Sequence, residues 1–329
     1  MAAFSISSLN PVVREFYTVY YDQAFSPNQE DLALVDNFGQ LITIPTGGNP
    51  TSERRIVKET SNFSSLATLS NGLIAGSVTG RLCFLDWDQL LDNDLEEKLK
   101  PKWTISVGQR EVNSIAVLND KQFLIGTGDG GLSLRDAARP DAVLGTFDGH
   151  TDQINQVSAN SDATFVSCSS DGTVLLFDAR NGSEAVRKID MGSQAGLQKD
   201  GFSRSVLAIG LQDQFVIAGG GLSLAKFDLG SGILLQALPS PKSGDNYDIH
   251  SIEVSRERIG VGTSTGSVLA YSHAGTLINE IPVGHGAVLN LTSATNDNHR
   301  HLLTAVSGIS GYVTMLVNYG YISSTLKTF

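Results

Sequence analysis

A β-rich apolar run, a short polar turn ending in glycine and a second β-rich run recur along the chain. The copies read LALVDNFGQLITI, LIAGSVTGRLCFLD, FLIGTGDGGLSLRD, FVSCSSDGTVLLFD, FVIAGGGLSLAKFD, IGVGTSTGSVLAYS and LLTAVSGISGYVTMLV. Short apolar runs bounded by turn residues predict strands joined by hairpins. The turn glycines are Gly39, Gly80, Gly130, Gly172, Gly221, Gly266 and Gly311, spaced 41, 50, 42, 49, 45 and 45 residues apart. Glycine there is expected to supply the positive φ of a tight turn. Further alternating runs flank each copy; in the fourth unit the series is INQVSA, FVSCSS, TVLLFD and AVRKID. Seven units of four strands, at roughly the 40–45-residue period of a propeller blade, predict an all-β fold. Residues 1–329 are expected to form a single seven-bladed β-propeller with four antiparallel strands per blade. A β-sandwich of repeated hairpins is the competing architecture, and regular units over the whole chain favour the propeller. A ring of blades also hides most strand edges.

One segment breaks the strand pattern. Asp86-Trp87-Asp88-Gln89 reads as a capping box, with Asp86 as cap and Gln89 at N3. Trp87, Leu91, Leu95 and Leu99 then recur at i+4 beside Leu90, and Pro101 follows as a stop. The pattern predicts a short helical insertion at about 86–100, after the third strand of blade 2. Its opposite face is acidic: Asp92, Asp94, Glu96 and Glu97. Its apolar stripe has two readings, packing on its own disc or forming a partner-docking ridge. On the second reading Trp87, Leu90 and Leu91 are the candidate partner-binding residues.

Composition narrows the function classes. Charged residues make up 17% and the net charge is −11, so unaided binding to a phosphate backbone is disfavoured. Cys83 and Cys168 are the two cysteines, too few for a disulfide framework or a Cys-rich zinc site. No apolar stretch is long enough for a membrane helix. The start MAAFSISSLNPVVREF lacks the features of a secretory signal. Gly126, Gly128 and Gly131 satisfy G-x-G-x-x-G, but LSLRDAARP follows where a dinucleotide site needs a helix. His299 and His301 lack nearby carboxylate or thiol partners for a metal. The small basic groups Arg54, Arg55, Lys58 and Lys98, Lys100, Lys102 read as solvated faces. No catalytic residue, cofactor or metal is expected, and the chain reads as a non-enzyme.

The fourth unit, GHTDQINQVSANSDATFVSCSSDGTVLLFDAR, resembles a WD40 repeat. Gly149-His150, Ser169 and Asp171-Gly172-Thr173 match the family pattern, and Phe177-Asp178 stands in place of its Trp-Asp. The resemblance implies a blade-locking hydrogen-bonded chain through His150, Ser169 and Asp171. Phe177 has no indole N–H, so the chain is expected to stop at Ser169. A second Gly-His occurs at Gly284-His285, and Arg135-Asp136 and Phe227-Asp228 hold the closing position elsewhere.

Other segments carry a narrower likeness. They are Phe38-Gly39-Gln40 in the first blade, Trp87-Asp88-Gln89-Leu90-Leu91 in the insertion, and the Gly219-Gly220-Gly221 turn before LSLAKFDL. Asn318-Tyr319-Gly320-Tyr321 and an apolar tail to Phe329 complete the set. Together they resemble the WD-repeat sixth subunit of the THO complex, which acts in messenger-RNA export. That resemblance implies a nuclear, non-enzymatic scaffold that docks coiled-coil THO subunits. It implies indirect links to the TREX helicase and export adaptor, and mRNA contact only through the complex. Another WD40 adaptor, such as a ubiquitin-ligase substrate receptor or a nuclear-pore subunit, is the alternative, and a propeller enzyme the third reading. For ring closure, Tyr321–Phe329 is expected to form the outer strand of blade 7, with residues 4–9 beside it or elsewhere.

Overall fold

The computed structural model describes residues 16–47, 55–58, 62–92, 100–160, 163–241, 244, 246–294 and 302–328. Their strands form seven four-stranded antiparallel sheets, each built from four consecutive strands in order. The first strand of each sheet packs beside the first strands of its neighbours, and the last meets the first across the ring. These innermost strands are Tyr20–Phe25, Phe63–Leu69, Val112–Asn119, Ile154–Ala159, Val206–Gln212, Ile249–Val254 and Val288–Ser293. The architecture is the seven-bladed propeller that the repeat period implies.

An apolar cluster fills each junction between successive blades. Between blades 3 and 4, Leu124 and Leu134 meet Ile154, Phe165 and Phe177. Between blades 7 and 1, Met315 and Leu326 meet Tyr20, Leu32 and Ile42. Both faces of a middle strand are therefore covered, which explains why strands such as Gly72–Ser77 are buried at every position. Burial of this kind is the main favourable term in the fold.

Five of the turn glycines, Gly39, Gly80, Gly130, Gly172 and Gly266, have φ between 74° and 84°. Gly221 and Gly311 do not adopt positive φ, contrary to expectation. At Gly221 the requirement is space: a Cβ there would lie 2.3 Å from the Ser203 carbonyl oxygen.

Blade 7 is closed from its own end of the chain. Strand Tyr321–Lys327 is its outermost strand and pairs antiparallel with Tyr312–Val317. Beyond it the Thr328 hydroxyl donates to Gly311 O at 2.9 Å and is hydrogen-bonded to the Tyr20 hydroxyl of blade 1. Residues 4–9 and Phe329 lie outside the described residues.

The inserted helix is shorter than its apolar stripe suggests among the described residues, running over Trp87–Leu91. The Asp86 side chain caps it by accepting from Asp88 N–H at 3.3 Å, and Lys102 pairs with Asp86 at 2.7 Å. Leu95 and Leu99 fall outside the described residues.

Candidate partner-docking face

Every innermost strand carries a register shift at its second residue. Such a bulge re-aims one side chain out of the ladder. The seven extra residues are Tyr21, Ser64, Asn113, Asn155, Leu207, His250 and Leu289, and they ring one mouth of the channel. Several of them tie blades together. Ser64 Oγ donates to Val112 O at 2.8 Å, Asn113 Nδ2 to Ile154 O at 2.9 Å, and Asn155 Nδ2 to Val206 O at 2.8 Å. One residue further in, Asp22, Ser114 and Gln156 accept from the N–H of Leu66, Val157 and Ile209 in the next blade, at 2.7, 3.1 and 2.8 Å. At the ring closure Asn290 Nδ2 donates to Tyr20 O at 3.0 Å, and Gln23 Nε2 to Ala305 O at 2.9 Å. This belt of hydrogen bonds ties the innermost strands of neighbouring blades together at the mouth. Single-sequence reading missed it, because a bulge appears only when two strands are paired.

The channel behind the mouth holds a cavity of about 340 Å³ to which all seven blades contribute. Asp22 and Glu253 line it without any lysine or arginine beside them. Burial pushes both carboxyls up to about 7, against the pull of the N–H donors from Leu66 and Gln23 on Asp22 and from Ser293 on Glu253. Burial likewise lowers the pKa of His250.

The blade-four lock is built around His150. Its Nδ1 faces Asp171 Oδ2 at 3.0 Å and its Nε2 faces Ser167 Oγ at 2.8 Å. The serine in the chain is thus Ser167, which corrects the expectation of Ser169. Ser169 is occupied at the turn, where its hydroxyl donates to Asp152 O and accepts from Asp171 N–H, each at 3.1 Å. The imidazole spans from the turn carboxylate inward, so its far nitrogen meets the serine one strand pair deeper. Asp171 also accepts from Thr173 Oγ1 at 2.6 Å and Thr151 N–H at 2.9 Å. Phe177 stands apart, stacked on Phe165 at 5.3 Å and edge-on to Phe147 at 5.5 Å. In blade 7, His285 bonds Ser310 and Thr314, with no carboxylate bonded to it among the described residues, and burial pulls its pKa down to about 4.

The described part of the inserted helix turns its largest apolar side chains inward. Trp87 and Leu90 are buried, with Leu91 packed against them, in the cluster that joins blades 1 and 2. The helix turns its stripe onto Val35, Phe63 and Leu85 because those side chains would otherwise face water. Trp87 and Leu90 are thus core side chains, and Leu91 is half-buried beside them. Gly126 to Gly131 form the turn between two strands of blade 3, with no helix after it. His299, His301, Arg54 and Lys98 lie outside the described residues.

Exposed apolar side chains occur on blades 7, 1 and 2 and on the segment that leads into blade 1. Phe16 and Tyr17 are 71% and 68% exposed, and Tyr21, Val78 and Ile309 join them. Asn37, in the adjacent turn of blade 1, donates its Nδ2 to Tyr17 O at 3.0 Å, and Val19 bridges to Ile309. These contacts hold the approach segment against the mouth.

The family profile described as WD domain, G-beta repeat, matches residues 142–178, the stretch that holds the His150 lock. No curated protein sequence matches the chain. Among solved structures, the crystal structure of the WD40 β-propeller domain of Doa1 is similar, with a TM-score of 0.71 at 14% sequence identity. That likeness covers 89% of this chain and 91% of the other. The chain has the fold of a seven-bladed WD40 propeller and carries a WD repeat in its fourth blade.

Proposed function

We propose that this chain is a non-enzymatic protein-interaction scaffold whose docking face is the channel mouth over blades 7, 1 and 2. The observation that carries this reading is the group of exposed aromatic and aliphatic side chains there, Phe16, Tyr17, Tyr21, Val78 and Ile309. Exposed apolar side chains of this kind mark an interaction site, and aromatic residues are favoured binding anchors. The motifs shared with the WD-repeat subunit of the THO complex support a finer reading. On it the partners are coiled-coil THO subunits in the nucleus, and the disc helps assemble the complex that couples transcription to mRNA export. Contact with RNA is then indirect, in keeping with the net charge of −11.

The test is affinity purification of the tagged chain beside a Tyr21→Ala/Ile309→Ser variant, with all co-eluting chains identified. Recovery of coiled-coil THO subunits by the wild type and their loss from a normally melting variant support both levels of the reading. Loss of a different set, such as ligase or nuclear-pore subunits, keeps the docking face and replaces the THO assignment. Full recovery by the variant refutes the face.

A further inference from the structure

Two asparagines in the chain are followed by glycine, Asn71-Gly72 and Asn181-Gly182. A glycine there has no side chain to shield its amide nitrogen, so that nitrogen can approach the asparagine Cγ. The fold treats the two pairs differently.

Asn181 and Gly182 lie in the connection between strands Thr173–Asp178 and Arg187–Asp190 of blade 4, and both are exposed. Among the described residues neither the Asn181 side chain nor the Gly182 N–H has a hydrogen-bond partner. Gly182 has a φ of 95°, and a Cβ built on it would meet nothing within 4 Å. The amide side chain and the nitrogen next to it are therefore unrestrained, with open space around them.

The residues on either side are held. Asn181 N–H donates to Asp178 O at 2.9 Å, and the Asp178 carboxylate accepts from Arg180 N–H at 3.0 Å and from its guanidinium at 2.9 and 2.6 Å. Ser183 O accepts from Asp148 N–H at 3.0 Å, and Glu184 bridges to Asp148. Asp148 belongs to the link from blade 3 that runs into Gly149 and His150 of the blade lock. Gly182 is thus the single residue between two anchored points. In the other pair the glycine itself is locked. Gly72 is buried in strand Gly72–Ser77 opposite Leu69, and a Cβ there would lie 2.2 Å from the Phe84 ring. Its nitrogen reaches Asn71 Cγ only when that hairpin opens locally.

We propose that Asn181-Gly182 is a self-modification site, where the folded chain converts Asn181 to aspartate and isoaspartate with water as the only co-reactant. The Gly182 nitrogen attacks Asn181 Cγ. The new N–Cγ bond forms, the Cγ–Nδ2 bond breaks, and the proton lost from the Gly182 nitrogen leaves with Nδ2 as ammonia. Water then opens the five-membered imide at one of its two carbonyls. Cleavage at Cγ gives aspartate on the original backbone, and cleavage at the Asn181 main-chain carbonyl gives isoaspartate, whose backbone runs through Cβ and Cγ. No electrons are exchanged. Both products add a negative charge. Isoaspartate also adds one carbon to a span whose ends are fixed, which works against the tie between Ser183 O and Asp148 N–H.

The test incubates the full folded chain at mildly alkaline pH and follows both asparagines by peptide mapping that separates aspartyl from isoaspartyl products. Asn181 should convert about tenfold or more faster than Asn71, because only Asn71 must wait for local opening. In concentrated urea the two rates should converge, because each asparagine then has the same unfolded neighbour. Amide hydrogen exchange at Asp148 should be faster in the separated isoaspartate form than in the unmodified chain. Asn181→Asp adds the charge without the extra carbon and should exchange there like the unmodified chain. Equal rates at the two sites in the folded chain, a gap that persists in urea, or unaltered Asp148 exchange in the isoaspartate form would each overturn the proposal.

Discussion

Replacing Trp87 by alanine separates a core residue from a surface anchor. Trp87 is 6% exposed and packs in one cluster with Val35, Leu41, Phe63, Leu85 and Leu90. Truncating a buried tryptophan costs about 3–5 kcal/mol through lost transfer energy and the cavity left behind. Its indole Nε1–H is buried without a partner, so the native state already carries a penalty of about 1–3 kcal/mol that alanine removes. The two effects oppose each other, and the net loss should be about 0–4 kcal/mol, centred near 2. Urea denaturation at fixed pH should show that loss as a lower midpoint with an unchanged slope, because the exposed area barely changes. Trp87→Phe keeps most of the packing and drops the orphan donor, so it should stay within about 1 kcal/mol of wild type. A normal midpoint for Trp87→Ala combined with lost partner recovery would refute the core assignment and restore the helix as a docking ridge.

His285 is neutral in the fold with its pKa near 4, so the folded state binds fewer protons than the unfolded one. Stability should fall as pH drops from about 6.5 to about 4, by up to roughly 3 kcal/mol, and His285→Gln should flatten that slope in pH-dependent denaturation. Glu253 has the opposite sign: its pKa is raised to about 7, so its contribution is present at low pH and lost as pH rises through about 7. Glu253→Gln should gain about 1–2 kcal/mol at pH 8 and nothing at pH 4. Deleting residues 321–329 removes the outer strand of blade 7 and the Thr328 contacts to Gly311 and Tyr20, and should lower the melting temperature sharply. Phe177→Trp should destabilise by about 1–3 kcal/mol, because Phe177 is wedged against Phe165 and Phe147 and a larger ring overpacks the site. A neutral result would mean that the aromatic group can open toward Ser167.

The Ser167 and Trp87 corrections share a cause. Residues 167 and 169 lie on the same side of their strand, so a pattern of alternation cannot choose between them. The choice came from how far the His150 ring reaches across two strands. The stripe of Trp87 and Leu90 marks one side of a helix as apolar without saying what covers it. Blade 1 supplies Val35 and Leu41 for that purpose, and they lie more than forty residues away in the chain.

Local chemistry in the sequence was sufficient for the blades themselves. Alternation sets the strands, turn residues set the hairpins, and a unit that cannot bury both its faces alone must stack on copies of itself. Seven such units determined the ring. Tertiary structure decided everything that depends on two blades meeting: the bulged residues around the mouth, the belt beneath them, and the exposure of Phe16, Tyr17 and Tyr21. A strand's own pattern states which side is apolar, but only its neighbour in the ring decides which polar group finds a partner and which is left facing water.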